Sequence, residues 1–268
     1  MQWHYKKIGQ GMPLVILHGL YGNSDNWHTI GKILAEKYEV YLPDLRNHGK
    51  SPHSNEHNYE ILQQDLFEFL TKLNIKKAII VGHSMGGKTA MLFALMHPEF
   101  VEKLVIVDIA PKSYKSLLDF NPQIIEHLNI INAYLSVNIG QMKSRTELDH
   151  AFAVYIKSNH LRHFLLKNAS RDSTGKFLWL INIEALKRAL PEVMDWPKID
   201  KLPILENRIP TLFIRGEKSN HVNDSDLKEI KQLFPLAEVT TIFDAGHWVH
   251  AEQQALFLNA LNVFLETV

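Results

Sequence analysis

A doubly wound α/β sheet, mostly parallel, with a helical lid inserted into it, is the fold this sequence predicts. Three observations carry that expectation. Short, continuous apolar runs recur along the chain, as in strands covered on both faces. Longer stretches of helical periodicity separate them, the alternation of a doubly wound sheet. One connection, from Asp108 to Pro210, is about a hundred residues long, where a strand–helix–strand unit takes roughly 30.

Residues 14–17 (Leu-Val-Ile-Leu) read as a buried strand ended by His18-Gly19, and residues 39–42 (Glu-Val-Tyr-Leu) as a second ended by Pro43-Asp44. The stretch 59–73 places Ile61, Leu62, Leu66, Phe69, Leu70 and Leu73 on one helical face. Residues 78–81 (Ala-Ile-Ile-Val) form a third strand ended by Gly82. The stretch 85–96 is apolar nearly all round, as a helix packed on a sheet is. Residues 104–107 (Leu-Val-Ile-Val) are a fourth strand, ended by Asp108. Strands five and six fall at 211–214 and 239–242, with amphipathic helices at 224–233 and 253–265.

Long structureless loops are rare in compact domains, so the long connection needs structure of its own. Its patterns are helical over 123–137, 145–157, 161–167 and 178–190. The division is therefore a core domain of residues 1–111 and 206–268 and a lid of residues 112–205. The lid is rich in aromatic residues (Phe120, Tyr134, Phe152, Tyr155, Phe164, Phe177, Trp179, Trp196), which suits the wall of an apolar pocket.

Composition narrows the function. The 268 residues are 46% hydrophobic and 22% charged, ordinary for a globular protein. Twenty-nine basic residues balance twenty-nine acidic ones, against the basic excess of a nucleic-acid binder. With no cysteine, disulfides, thiolate catalysis and thiolate metal sites are excluded. No apolar run reaches the ~18 residues of a membrane span. The N-terminal Met1-Gln2-Trp3-His4-Tyr5-Lys6-Lys7 precedes no secretory h-region, so the expected location is cytoplasmic and the sequon Asn168-Ala169-Ser170 carries no meaning.

Gly82-His83-Ser84-Met85-Gly86 fits the G-x-S-x-G nucleophile elbow. A chance match arises in about one chain in ten of this length. Here the motif follows a strand and opens a helix, the setting the elbow requires. A serine on so sharp a turn needs small neighbours, and Gly87 adds room. The serine then needs a base. Among 15 histidines, His247 stands just past the last strand, in the chain order Ser, acid, His. His250, three residues on, is the competitor, but a helical residue is poorly aimed at the elbow.

The acid is less direct. In the loop after strand five, Ser219 stands where an aspartate is common, and Glu217 lies close to the strand. Asp108 ends the strand after the elbow's own unit, where catalytic groups of open α/β sheets collect. Asp108 is favoured, with Glu217 next and Asp224 or Asp226 behind. An oxyanion hole needs two backbone N–H donors. Met85 supplies one, and Leu20, in the loop His18-Gly19-Leu20-Tyr21-Gly22, the other. His18 reads as a brace rather than a base. Tyr21, Phe152, Trp179 and Trp248 are the candidate pocket walls.

Two further motifs point elsewhere. His53-Ser54-Asn55-Glu56-His57 fits a zinc pattern, H-x-x-E-H, but sits in a polar loop rather than on a helix. Asp44 to Ser51 is charged and glycine-bearing without phosphate-loop spacing, and reads as a structural loop.

Taken together, these segments, with Asp108-Ile109-Ala110-Pro111, the lysine at Lys88 after the double glycine, and Gly246-His247-Trp248-Val249-His250-Ala251-Glu252, resemble the α/β-hydrolases and, more narrowly, the YbfF-type esterases. The resemblance runs nearly end to end and is weakest across the lid. It implies a serine ester or thioester hydrolase with its acid after the family's sixth strand. Carried to this sequence, that acid is Asp108.

The expected activity is cofactor-free hydrolysis of carboxylic esters of short to medium acyl chains, with acyl thioesters as further substrates. Ser84, His247 and Asp108 would act through an acyl-enzyme. No metal is called for, and the expected partner is a small-molecule ester or thioester. Carbon–carbon bond cleavage on the same scaffold is an alternative, for which the lid offers Arg145, Arg162 and Arg171. A ligand-sensing receptor that keeps the triad is another. A dehalogenase would need an aspartate in place of Ser84.

Overall fold

A computed structural model of the chain describes residues 1–114, 122–197 and 209–267. Its strands are β1 (Tyr5–Ile8), β2 (Met12–Leu17), β3 (Tyr38–Pro43), β4 (Ala78–His83), β5 (Val101–Val107), β6 (Ala169–Arg171), β7 (Phe177–Trp179), β8 (Thr211–Gly216) and β9 (Ala237–Ile242). Its helices are α1 (His28–Leu34), α2 (Tyr59–Lys72), α3 (Met85–Met96), α4 (Pro122–Ser136), α5 (Arg145–Ala153), α6 (Asn159–Leu165), α7 (Ile183–Val193), α8 (Leu227–Leu233), α9 (Val249–Glu252) and α10 (Gln254–Glu266).

Seven strands make one sheet in the order β1-β3-β2-β4-β5-β8-β9. All neighbours run parallel except β1, which is antiparallel to β3. The six runs read from the sequence are the six parallel strands. The antiparallel edge strand was not expected. Its sequence, Tyr-Lys-Lys-Ile, lacks the apolar run of a central strand, and lysines on an edge discourage pairing with another chain.

Alternate side chains of the central strands bury on opposite faces. Val15, Leu17, Ile80, Leu104, Ile106 and Phe213 join the core under α2, α3 and the lid. Leu14, Ile16, Ile79, Val81, Val105, Val107, Leu212 and Ile214 join Trp27, Phe257 and Leu261 on the other face. The chain turns from β2 to one neighbour, β3, and then crosses to the other, β4. Such a reversal leaves a crevice at the carboxyl ends of the strands, where ligands bind in open α/β sheets.

The connection between β5 and β8 carries α4 to α7, as its helical periodicity predicts. It also carries a two-stranded hairpin, β6 with β7, where the helix expected over 178–190 begins. Phe177, Leu178 and Trp179 pair with 169–171 instead, and α7 starts only after Asn182 caps it by accepting a hydrogen bond from the Ala185 N–H. Phe120 and the expected far boundary of the lid at 205–206 lie outside the described residues.

Arg46, in the loop after β3, is held to Asp65 of α2 by a bidentate pair at 2.7 and 2.9 Å, with both side chains buried. Removing one partner strands the other charge away from water. Asp65→Ala is expected to cost about 3–5 kcal/mol, read as a lower midpoint in urea unfolding; an unchanged midpoint would contradict a buried pair.

Candidate active site

The elbow sits at the end of the central strand β4. Ser84 has φ 52° and ψ −118°, a conformation that side chains rarely adopt and that clusters at functional sites. Its neighbours explain why it persists. A Cβ on Gly82 would meet the Gly86 carbonyl oxygen at 2.4 Å, and one on Gly86 the Leu17 carbonyl oxygen at 2.4 Å. Strand β4, the elbow and the end of β2 are thus in backbone contact. The Ser84 N–H is fixed by the Val107 carbonyl at 3.1 Å.

Asp108, wholly buried, ends β5 with φ 50°. Its Oδ2 lies 2.8 Å from His247 Nδ1. Its Oδ1 accepts from the Gly216 N–H at 3.0 Å, and the Ser219 hydroxyl donates to Oδ2. Burial pushes the Asp108 carboxyl up, while His221, the Ser219 hydroxyl and the Gly216 N–H pull it down. The other candidate acids are engaged elsewhere. Glu217 is exposed and accepts from the Asp244 N–H; Asp224 pairs with Arg215; Asp226 pairs with Lys112.

His247 follows β9 in the loop that leads to α9. Its carbonyl meets His83 Nε2 at 3.0 Å, and its ring stacks on His221 with centroids 3.7 Å apart and planes 20° apart. Burial holds the His247 imidazole below its usual range, so the ring is neutral at pH 7, the state a base requires. His250 does not border the cavities at Ser84; its ring is stacked on Trp27 at 3.9 Å and packs edge-on against His83.

Ser84, His247 and Leu20 border one cavity of about 70 Å³, together with Tyr21, His127, His221 and Trp248. A second, of about 30 Å³, runs from Ser84 past Met85 and Ile109 to Lys88, Tyr114 and Met194. One water needs about 10–15 Å³ on this measure, so both spaces are small. The Tyr21 N–H is engaged by His48 Nε2 at 3.2 Å, and the Gly22 N–H by the Gly19 carbonyl at 3.0 Å.

Of the four expected pocket walls, Tyr21 and Trp248 border the cavity beside Ser84, Trp248 resting on Phe164 of α6 at 4.0 Å. Phe152 and Trp179 do not: they pack with Tyr134 inside the lid, with Phe152 wholly buried. An amphipathic stretch shows which residues bury, not which neighbours they meet. The lid arginines also serve the lid. Arg145 donates to the Leu166 and Ala169 carbonyls, Arg162 pairs with Asp149, and Arg171 lies over the Phe177 ring.

Several histidines are braces. His18 Nε2 accepts from the Leu45 N–H at 2.9 Å, and its Nδ1 meets the Gly19 carbonyl. His57 is buried against Met85 Sδ, while His53 is exposed in an irregular loop, so the H-x-x-E-H residues do not converge. Among the described residues, the set with metal-ligand donors close together is Asp108, His221 and His247. Both Nδ1 atoms lie beside Asp108 Oδ2 and the rings stack, so Asp108 itself is the group that both imidazoles meet. Sequence reading gave no role to His221, His127 or His83, since nothing along the chain separates them from the other histidines. Ser219 carried a signal: a hydroxyl where an acid is common.

Asn168 is buried and joins lid to core: its amide donates to the Tyr21 carbonyl at 2.7 Å and accepts from Asn23 at 3.1 Å. At the other end of the lid, Lys88 donates to the Asp195 carbonyl at 2.6 Å and lies over the Tyr114 ring. Burial pulls Lys88 down to about 7.

Comparison with known proteins bears on this geometry. A family model described as the alpha/beta hydrolase fold matches residues 12–254. The chain is 36% identical over 260 residues to the zebrafish (Danio rerio) sn-1-specific diacylglycerol lipase ABHD11, covering 96% of this chain and 80% of that protein. It is 31% identical over 253 residues to Escherichia coli esterase YbfF, covering 94% and 92%. The solved structure of a marine microorganism esterase superposes with a TM-score of 0.92 at 40% identity, covering 98% of this chain and 99% of that one.

The buried histidines predict a pH dependence of stability. Burial holds His18 at about 4, His127 at about 4 and His83 at about 3. An unfolded imidazole titrates near 6.5, so below that pH the unfolded chain binds more protons than the folded one. Stability is then full above pH 6.5 and falls as pH drops toward about 4. Asp108, raised by burial, acts in the opposite sense but is one group. The urea midpoint is expected to fall steadily from pH 7.5 to pH 5; a flat midpoint would mean the imidazoles are not held neutral.

Proposed function

Because the chain belongs to the α/β-hydrolase family, we propose that it is a carboxylic-ester hydrolase working through an acyl-enzyme on Ser84, with His247 as base and Asp108 as its partner. The observation that supports this most is the Asp108–His247 hydrogen bond beside a cavity that both His247 and Ser84 border. Esterase and lipase relatives over most of the chain's length point to the same chemistry.

In this reading the Ser84 Oγ attacks the acyl carbon as its proton passes to His247 Nε2. Asp108 accepts from Nδ1, which leaves Nε2 unprotonated and ready as the base. The Met85 N–H, at the start of α3, and the Leu20 N–H hold the oxyanion. The Tyr21 N–H is engaged by His48 and the Gly22 N–H by the Gly19 carbonyl, while Leu20 borders the cavity beside Ser84. His247 then protonates the leaving alkoxide, and water repeats the sequence on the acyl-enzyme.

Tyr21 and Trp248 wall the larger space, and α4 of the lid borders it through Glu126, His127 and Ile130. Spaces of about 70 and 30 Å³ suit short to medium acyl chains. A long-chain ester such as a diacylglycerol would need the lid to move. No cofactor takes part in these steps. Among the described residues no helix is long and apolar enough to cross a membrane.

Initial rates on p-nitrophenyl esters of increasing acyl length test the proposal. The rate is expected to be greatest from acetyl to hexanoyl, to fall for dodecanoyl, and to vanish in Ser84→Ala. Full turnover by Ser84→Ala would end the proposal. Asp108→Asn, which presents a donor to His247 and leaves it the wrong tautomer, is expected to lower kcat by about 10⁴-fold.

The acid limb of kcat/KM is expected below pH 6.5, since the base must be unprotonated and burial lowers its pKa. Activity lost by half at pH 7 or above would contradict a buried neutral base.

A further inference from the structure

Beside His247 stands a second imidazole that the proposed mechanism does not use. His221 belongs to the loop after β8 and stacks on His247 at 3.7 Å, with planes 20° apart. Its Nδ1 lies 3.2 Å from Ser219 Oγ and 3.6 Å from Asp108 Oδ2. The Ser219 hydroxyl has one proton, and it goes to Asp108. Both neighbours of His221 Nδ1 are therefore acceptors, so Nδ1 carries the proton of the ring and Nε2 carries the lone pair. Burial and the adjoining His247 hold His221 well below its usual range, so the ring stays neutral.

With the Nδ1 of each ring at Asp108, Nε2 is the nitrogen each ring has left for other partners. Both rings border the cavity that Ser84 borders. The loop is pinned there, because the Tyr114 hydroxyl donates to the His221 carbonyl at 2.6 Å. The cavity is thus bordered by two neutral imidazoles, each with one ring nitrogen free of Asp108. A water has two protons, and a site that holds both fixes the direction of its oxygen lone pairs.

We propose that His221 Nε2 is a second acceptor for the hydrolytic water, orienting it for attack on the acyl-enzyme while His247 takes its proton. The proposal rests on the serine-hydrolase reading above. In deacylation the water donates one O–H to His247 Nε2 and the other to His221 Nε2. Its oxygen bonds to the acyl carbon, and the first proton moves to His247. The tetrahedral intermediate then collapses, the C–Oγ bond breaks, and that proton passes from His247 to Ser84 Oγ. The second proton stays on the water oxygen throughout and leaves in the carboxylic acid. Acylation has no such water and does not need His221 Nε2.

Partitioning between water and methanol tests this. Methanol has one O–H, which goes to His247, so methanolysis needs only one acceptor. With p-nitrophenyl acetate and a fixed methanol concentration, His221→Phe keeps a stacked ring but offers no acceptor. It is expected to raise the ratio of methyl acetate to acetate about tenfold, the rate equivalent of one hydrogen bond. Its acylation rate, read by stopped flow, should fall clearly less than its deacylation rate. His221→Gln, whose amide oxygen restores an acceptor, should return the ratio toward the wild-type value.

An unchanged ratio in His221→Phe, or equal losses in acylation and deacylation, would overturn the proposal. His221→Leu serves the same comparison should the phenylalanine variant not fold. Turnover by Ser84→Ala, run alongside, would instead overturn the serine-hydrolase reading beneath it.

Discussion

A single buried carboxylate, that of Asp108, ties the site together. It stands at the end of β5 and accepts from the Gly216 N–H at the end of β8, from the Ser219 hydroxyl beyond it, and from His247 after β9. Three strand ends are thus referred to one wholly buried carboxyl group. Such burial is costly unless the charge is met by donors, and here three converge on it. The arrangement fixes the His247 ring and the loop bearing His221 at once, so a change at Asp108 alters geometry as well as charge.

Backbone conformation serves the same end. Tyr21, Ser84, Asp108 and Asp244 all have positive φ without being glycine, and each lies in or beside a loop at the carboxyl end of a strand. A residue held this way costs on the order of 1–3 kcal/mol and persists only where its surroundings overdetermine it. The contacts of Gly82 and Gly86 with neighbouring backbone supply that constraint at the elbow. The sheet supplies it elsewhere, because the last four residues of β2, β4 and β5 are buried on both faces.

Around this frame His18 and His48 act as neutral, two-ended connectors. His18 links the Gly19 carbonyl to the Leu45 N–H, and His48 links the Arg46 carbonyl to the Tyr21 N–H. Each has one ring nitrogen that donates and one that accepts, which a buried backbone can satisfy only while the ring is uncharged. The lid is joined to the same loops: Asn168 holds the Tyr21 carbonyl, and the Asn182 N–H donates to the Asn47 carbonyl at 2.9 Å. The cavity walls at Tyr21 are therefore set jointly by core and lid.

The sequence by itself determined the α/β architecture, because buried parallel strands must be continuously apolar and the helices between them periodic. It also marked the elbow, since a strand, a serine between glycines and an apolar helix leave few other local structures. His247 and Asp108 were legible as strand-end residues in the right chain order, though nothing along the chain measures the 2.8 Å between them. The edge strand was not legible, because one exposed side and two lysines remove the apolar signal. Nor was the hairpin inside the lid, whose strands are three residues each and whose pairing is not encoded in either alone. Only the tertiary structure decided that Phe152 and Trp179 face Tyr134 while Trp248 faces the cavity, and that His221 lies on His247. Burial can be read from pattern, but the identity of a neighbour depends on how distant segments pack. Two side chains can stack only once the loops after β8 and β9 have been drawn to the same carboxylate.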